Sequence, residues 1–126
     1  MPGFNIKSVK EVSSPQQGFS SAKLDMGTRL LELDLSNSKG LKSIEYSDPK
    51  GNLIRKLNLS NCPSLSDFTI QSKNFPYLEY VNIMGSPLVK FNFDNNGGIL
   101  KTAELEGSAL TSLVINNYAD LENLNI

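Results

Sequence analysis

An apolar-x-x-apolar-x-apolar phrase recurs every ten to thirteen residues through most of this chain. It reads Leu30-x-x-Leu33-x-Leu35, Leu41-x-x-Ile44-x-Tyr46, Ile54-x-x-Leu57-x-Leu59, Leu65-x-x-Phe68-x-Ile70 and Leu78-x-x-Val81-x-Ile83. It continues as Leu88-x-x-Phe91-x-Phe93, Leu100-x-x-Ala103-x-Leu105, Leu110-x-x-Leu113-x-Ile115 and Leu121-x-x-Leu124-x-Ile126. A weaker copy, Phe19-x-x-Ala22-x-Leu24, precedes these nine. A repeat this short cannot bury its apolar face alone. It does so by stacking on its neighbours, and the product is a solenoid.

From Leu30 onward the phrases start 11, 13, 11, 13, 10, 12, 10 and 11 residues apart. Long and short steps mostly alternate, so one coil holds two phrases and measures 24, 24, 22 or 21 residues. Within each phrase the last three residues alternate inward, outward, inward if extended. The outward residues are Asp34, Glu45, Asn58, Thr69, Asn82, Asn92, Glu104, Val114 and Asn125, eight of them polar. That is the pattern of a strand with one face in the core and one in water. The inward set includes Val, Ile, Phe and Tyr, which favour strands. Between phrases stand turn signals such as Asp48-Pro49, Cys62-Pro63, Phe75-Pro76, Ser86-Pro87 and Asn96-Gly97-Gly98, with no room for a stable helix. The expected fold is all-β: a parallel β-solenoid with two short strands per 21–24-residue coil and little helix.

Alternate turns share a form: Ser36-Asn37-Ser38, Ser60-Asn61-Cys62, Met84-Gly85-Ser86 and Glu106-Gly107-Ser108. The last residue of each is small and recurs at one place. The expectation is that it points into the bend, where a hydroxyl satisfies buried backbone groups.

On these residues the chain resembles the leucine-rich repeat family, whose core phrase is L-x-x-L-x-L-x-x-N/C-x-L. Residues Ile54 to Leu65 fit it with one conservative change, and Cys62 falls at the N/C position. Ser38, Ser86 and Ser108 occupy that position in the other coils, so the usual asparagine ladder is missing. The resemblance spans residues 19–126 and is nearest to the bacterial variety with two L-x-x-L-x-L segments per coil. It implies a solenoid that binds protein, and it does not imply which protein.

Solenoids need capped ends. Residues 1–18 are expected to form an N-terminal arm or cap ahead of the solenoid at 19–126: Phe4, Ile6, Val9 and Val12 are apolar, and Ser13 to Gly18 read as a linker. The sequence stops at Ile126 on an inward position, so the last coil is expected to show apolar surface and an unpaired edge. Three readings follow from it: a piece of a longer protein, pairing with another copy, or cover by a different partner.

The remaining chemistry is sparse. The 126 residues carry net charge −1, and Arg29, Lys39, Lys42, Arg55 and Lys73 are dispersed, so nucleic acid is not an expected partner. No apolar run reaches the length of a membrane span, so membrane insertion is not expected either. The start Met1-Pro2-Gly3-Phe4-Asn5 lacks the form of a secretory leader. Either the protein stays in the cell that makes it, or a leader has been removed. Histidine is absent, and the one cysteine, Cys62, sits at a position the repeat already explains. Asp94 to Gly98 lacks the Gly and Glu spacing of a calcium loop. The acidic residues, Glu104 and Glu106 among them, read as a solvated face rather than a glycosidase pair. No catalytic residue, metal or cofactor is expected.

What remains is a surface. Tyr80 and Met84 flank Asn82 on an outward face and make a candidate contact patch. Leu124 and Ile126 are the candidates on the last coil. The expected function is a non-enzymatic protein-interaction module that binds a protein partner or itself. The alternative is a structural subunit of a larger assembly, such as a phage, virion or cell-surface component, docking through its arm and open end.

Overall fold

A computed structural model of the chain describes residues 4–6, 11–13, 21–24, 31–46, 53–66, 69–71, 74–94, 99–116 and 121–126. Twelve short strands occur among them: β1 (Phe4–Ile6), β2 (Glu11–Ser13), β3 (Ser21–Leu24), β4 (Glu32–Asp34), β5 (Ser43–Tyr46), β6 (Lys56–Asn58), β7 (Thr69–Gln71), β8 (Tyr80–Asn82), β9 (Lys90–Asp94), β10 (Thr102–Glu104), β11 (Ser112–Asn116) and β12 (Asn123–Asn125). No α-helix occurs among the described residues. All strand pairs are parallel. The even-numbered strands form one six-stranded sheet in the order β12-β10-β8-β6-β4-β2. The odd-numbered strands form two three-stranded sheets, β1-β3-β5 and β11-β9-β7. The fold is therefore the expected parallel β-solenoid, with one strand on each side per coil. Strands β1 and β2 pair with β3 and β4, so the first residues carry both sides of the solenoid one coil further.

Register follows the repeat. Leu33, Leu57, Val81, Ala103 and Leu124 stand in one column of the six-stranded sheet, at intervals of 24, 24, 22 and 21 residues. Leu33, Leu57, Val81 and Ala103 are buried, as are Leu35, Leu59, Ile83 and Leu105 from the next inward position. On the other side Phe91 and Phe93 point inward from one strand and stack, with ring centroids 4.7 Å apart. Coil-to-coil hydrogen bonds extend past the strands into the turns, as in Asn61 N–H to Met84 C=O at 2.9 Å and Gly85 N–H to Glu106 C=O at 3.1 Å.

Two details depart from the repeat phrase. Aligning phrases sets Phe68 opposite Phe91, but Ile70 pairs with Phe91 and Thr69 with Lys90. The strand starts two residues late, a shift that keeps every side chain on its own face. Phe68 itself lies outside the described residues. The delay opens 26 residues between Ile44 and Ile70, against 21 from Ile70 to Phe91, and among the described residues the odd side divides into two sheets at this point. Second, Phe75, which reads as part of a turn, is buried at 2 % exposure. The longer connection folds an extra aromatic into the core while its neighbour Tyr77 stays 47 % exposed.

The turns after β4, β6, β8 and β10 repeat one backbone shape. Asn37, Asn61, Gly85 and Gly107 all have positive φ, at 61°, 54°, 74° and 77°. Asn and Gly are the residues that tolerate this region, which explains why only these two types stand at that position. Stacking tightens the demand at Gly85: a Cβ there would lie 2.6 Å from Asn61 Oδ1.

Candidate functional site

The outer face of the six-stranded sheet presents two columns of side chains. One holds Glu32, Lys56, Tyr80, Thr102 and Asn123, and the other Asp34, Asn58, Asn82, Glu104 and Asn125. The second column shapes its own turns. Asp34, Asn58 and Asn82 each accept a hydrogen bond at their Oδ1 from the backbone N–H two residues on, at 2.9, 3.0 and 2.9 Å. These contacts hold the chain as it leaves the strand. The fourth coil has Glu104 there instead, and its carboxylate accepts from Asn125 Nδ2 at 2.8 Å.

Just before the strands, charges alternate from coil to coil: Arg55, Glu79, Lys101, Glu122. Glu79 lies 3.6 Å from Arg55 and 3.7 Å from Lys101, and Lys56 lies 3.6 Å from Glu32. These are exposed pairs and add little stability each. They do set the order of charge along the stack.

Of the expected contact residues, Tyr80, Asn82 and Met84 come together. Tyr80 and Asn82 point outward from β8, and Asn82 Nδ2 donates to the Tyr80 hydroxyl at 3.3 Å. All three are half-buried. They sit between two hollows. One, of about 170 Å³, is lined by Glu32, Asp34, Lys56, Asn58 and Tyr80 and floored by Leu33 and Leu57. The other, of about 480 Å³, lies over the turns and includes Asn61, Asn82, Met84, Gly85 and Glu106. Leu124 and Ile126 are elsewhere, on the last coil, at 42 % and 75 % exposure. Leu113 joins them at 37 %, and a third hollow of about 330 Å³ runs between Leu105, Leu110, Leu113 and Ile126. There are thus two separate patches. The repeat phrase signals Leu113 as plainly as Leu124, since both hold its second apolar position.

Three of the four residues in the small-residue column of the turns are buried: Ser38, Cys62 and Ser86 have no exposed surface, whereas Ser108 in the last of these turns is half-buried. Ser86 Oγ donates to Leu59 C=O at 2.6 Å and accepts from Cys62 N–H at 2.9 Å. Cys62 Sγ lies 3.2 Å from Leu35 C=O, and Ser38 Oγ donates to the same carbonyl at 2.7 Å. Cys62 and Ser86 therefore reach backbone of the coil before them, while Ser38 serves its own turn.

Burial pushes the Cys62 thiol above its ordinary value of 9.0, opposed by hydrogen bonding from the Ser38 backbone and the Ser86 side chain. The folded form thus holds the proton more tightly than the unfolded form. Its stabilisation is complete below the unfolded thiol's value and is lost as pH rises through the folded one. Native protein is expected to resist a thiol reagent at neutral pH that labels the urea-unfolded chain at once. A further alkaline loss of stability, absent in Cys62→Ser, is expected above about pH 9. Rapid labelling of the native thiol at neutral pH contradicts this burial.

Among the described residues, no group of three His, Cys, Asp or Glu side chains gathers as a metal site, and no helix is long and apolar enough to cross a membrane. Compared with protein-family models, curated proteins and solved structures, the chain matches none of them.

Proposed function

We propose that the chain is a non-enzymatic protein-interaction module of leucine-rich-repeat-like character, with its contact face on the outside of the six-stranded sheet. The observation that supports this most is the convergence of Tyr80, Asn82 and Met84 between two hollows on a face otherwise made of polar columns. A half-exposed tyrosine and methionine inside a polar surround have the composition of an interface centre and its rim. Regular strands hold those side chains at fixed spacing, so little ordering is needed on contact.

The test keeps Tyr80 in place and puts a photo-crosslinking residue at Thr102, its register neighbour. One discrete protein adduct is expected in extracts of the source cells, and it disappears with Tyr80→Ala or Met84→Ala. The same residue placed at Asn92, on the other side of the solenoid, gives no such adduct. Identical adducts from both sides, or an adduct indifferent to Tyr80→Ala, would count against this face.

A second reading, as a subunit of an assembly, is favoured by the exposed apolar side chains of the last coil, Leu113, Leu124 and Ile126. It predicts self-association of residues 1–126, read as molar mass by light scattering. A single-chain mass at every concentration removes it.

A further inference from the structure

We infer that the contact face takes an extended, basic segment of another protein, one that carries two arginine or lysine side chains four residues apart. The inference rests on the contact-face reading above and names the chemistry of its partner. It is carried by charge complementarity over a fixed spacing.

Anions and cations on this face do not balance. Among the described residues its cations are already engaged: Arg55 and Lys101 with Glu79 at 3.6 and 3.7 Å, and Lys56 with Glu32 at 3.6 Å. Asp34, Glu104 and Glu106 have no lysine or arginine within ion-pair distance among the described residues. These three carboxylates bracket the patch. Asp34 lines the hollow on one side of it, Glu106 the hollow on the other, and Glu104 is the register neighbour of Asn82.

Asp34 and Glu104 also have an oxygen to spare. Asp34 Oδ1 accepts from Ser36 N–H at 2.9 Å, and Glu104 Oε2 accepts from Asn125 Nδ2 at 2.8 Å. The second oxygen of each takes no hydrogen bond among the described residues. Both side chains are half-buried, so a cation brought to them meets a charge less screened than one in open water.

The spacing selects the form of the partner. Asp34, Asn58, Asn82 and Glu104 are successive members of one outward column, with two carboxylates, two amides and no cation. Parallel strands lie about 4.8 Å apart, so three steps separate the two carboxylates by roughly 14 Å. An extended chain advances about 3.3 Å per residue with alternate side chains on one face, so residues four apart stand about 13 Å apart on the same side. A segment laid along the column therefore brings one cation to Asp34 and the other to Glu104. Its middle side chain falls between Asn58 and Asn82, beside Tyr80, where an apolar group meets the ring.

Two labelled peptides of one composition test this by fluorescence anisotropy on the whole chain. One is GSRSLSRSG, with arginines four apart, and the other GSSRLRSSG, with arginines two apart. The first is expected to bind roughly fivefold or more tightly than the second, and to weaken as salt rises. Asp34→Asn and Glu104→Gln keep the oxygen that accepts each internal hydrogen bond, so the fold is retained. Each is expected to weaken binding of the first peptide roughly fivefold. Glu45→Gln, the same change of charge in β5 on the odd-numbered side, is expected to leave it unchanged. Equal binding of the two peptides, or no effect of either amide substitution, overturns the basic-segment proposal. The Thr102 cross-link separates that failure from failure of the face itself. An adduct that survives Asp34→Asn combined with Glu104→Gln, yet still needs Tyr80, overturns the basic segment and leaves the contact face standing. An adduct indifferent to Tyr80→Ala overturns both.

Discussion

Leu57→Asp is expected to abolish folding, whereas Asn58→Asp, one residue away, is expected to cost under about 1 kcal/mol. Leu57 has no exposed surface and is stacked between Leu33 and Val81 in the core column. A carboxylate there replaces packed apolar surface, and an uncompensated buried charge costs about 3–5 kcal/mol. Whole domains are stable by only about 5–15 kcal/mol. Asn58 faces outward, and its Oδ1 accepts from Ser60 N–H at 3.0 Å and from Ser60 Oγ at 2.7 Å. A carboxylate oxygen accepts the same two bonds. Asp34 already accepts the equivalent backbone bond one coil earlier, from the Ser36 N–H at 2.9 Å. Urea unfolding followed by circular dichroism separates the two variants. Equal tolerance of both contradicts the assigned faces.

The second large effect is Ser86→Ala. It removes few atoms and no apolar surface, yet it leaves Leu59 C=O and Cys62 N–H without their partner in a buried turn. Each unsatisfied group costs about 1–3 kcal/mol, so a loss of about 3 kcal/mol and a fall in Tm of roughly 10 °C are expected. Ser108→Ala, at a half-exposed position in the last of these turns, is expected to cost under about 1 kcal/mol. Ser86→Cys recovers part of the loss, since a thiol holds the equivalent place at Cys62. A thermal melt of the three variants beside the parent reads the order directly. Ser86→Ala melting with Ser108→Ala would show that the buried hydroxyl carries no more than an exposed one.

From residue 19 onward the repeat phrase was sufficient to read the strands other than β7, with their faces, because a period of two within a period of about 22 leaves few alternatives; β1 and β2 lie in residues 1–18, where no copy of the phrase marks them. The small-residue column was legible for the same reason. What the phrase did not reveal depends on stacking rather than on any single coil. Positive φ at Asn37, Asn61, Gly85 and Gly107 is written in the Asn-to-Gly succession, but the crowding that a Cβ at Gly85 would meet at Asn61 Oδ1 arises only when the coils stack. The late start of β7 is invisible because Leu65, Phe68 and Ile70 satisfy the phrase in the ordinary register; only pairing with β9 distinguishes the two. Phe75 escaped because Pro76 beside it marks a turn, and a turn can still place one side chain inward. The candidate patch was legible as composition at Tyr80, Asn82 and Met84. The hollows on either side of it were not, since they form between residues some 24 apart in the chain.

The gap on the odd-numbered side bears on how the molecule comes apart. Elsewhere, neighbouring coils are zipped together along both flanks, and opening one coil from the next breaks two ladders. Between β5–β6 and β7–β8, strand pairing among the described residues runs along the β6–β8 flank alone. In a stack whose cooperativity comes from nearest-neighbour coupling, that step is the weakest link. Unfolding is then expected to divide the solenoid at this seam rather than peel evenly from the ends.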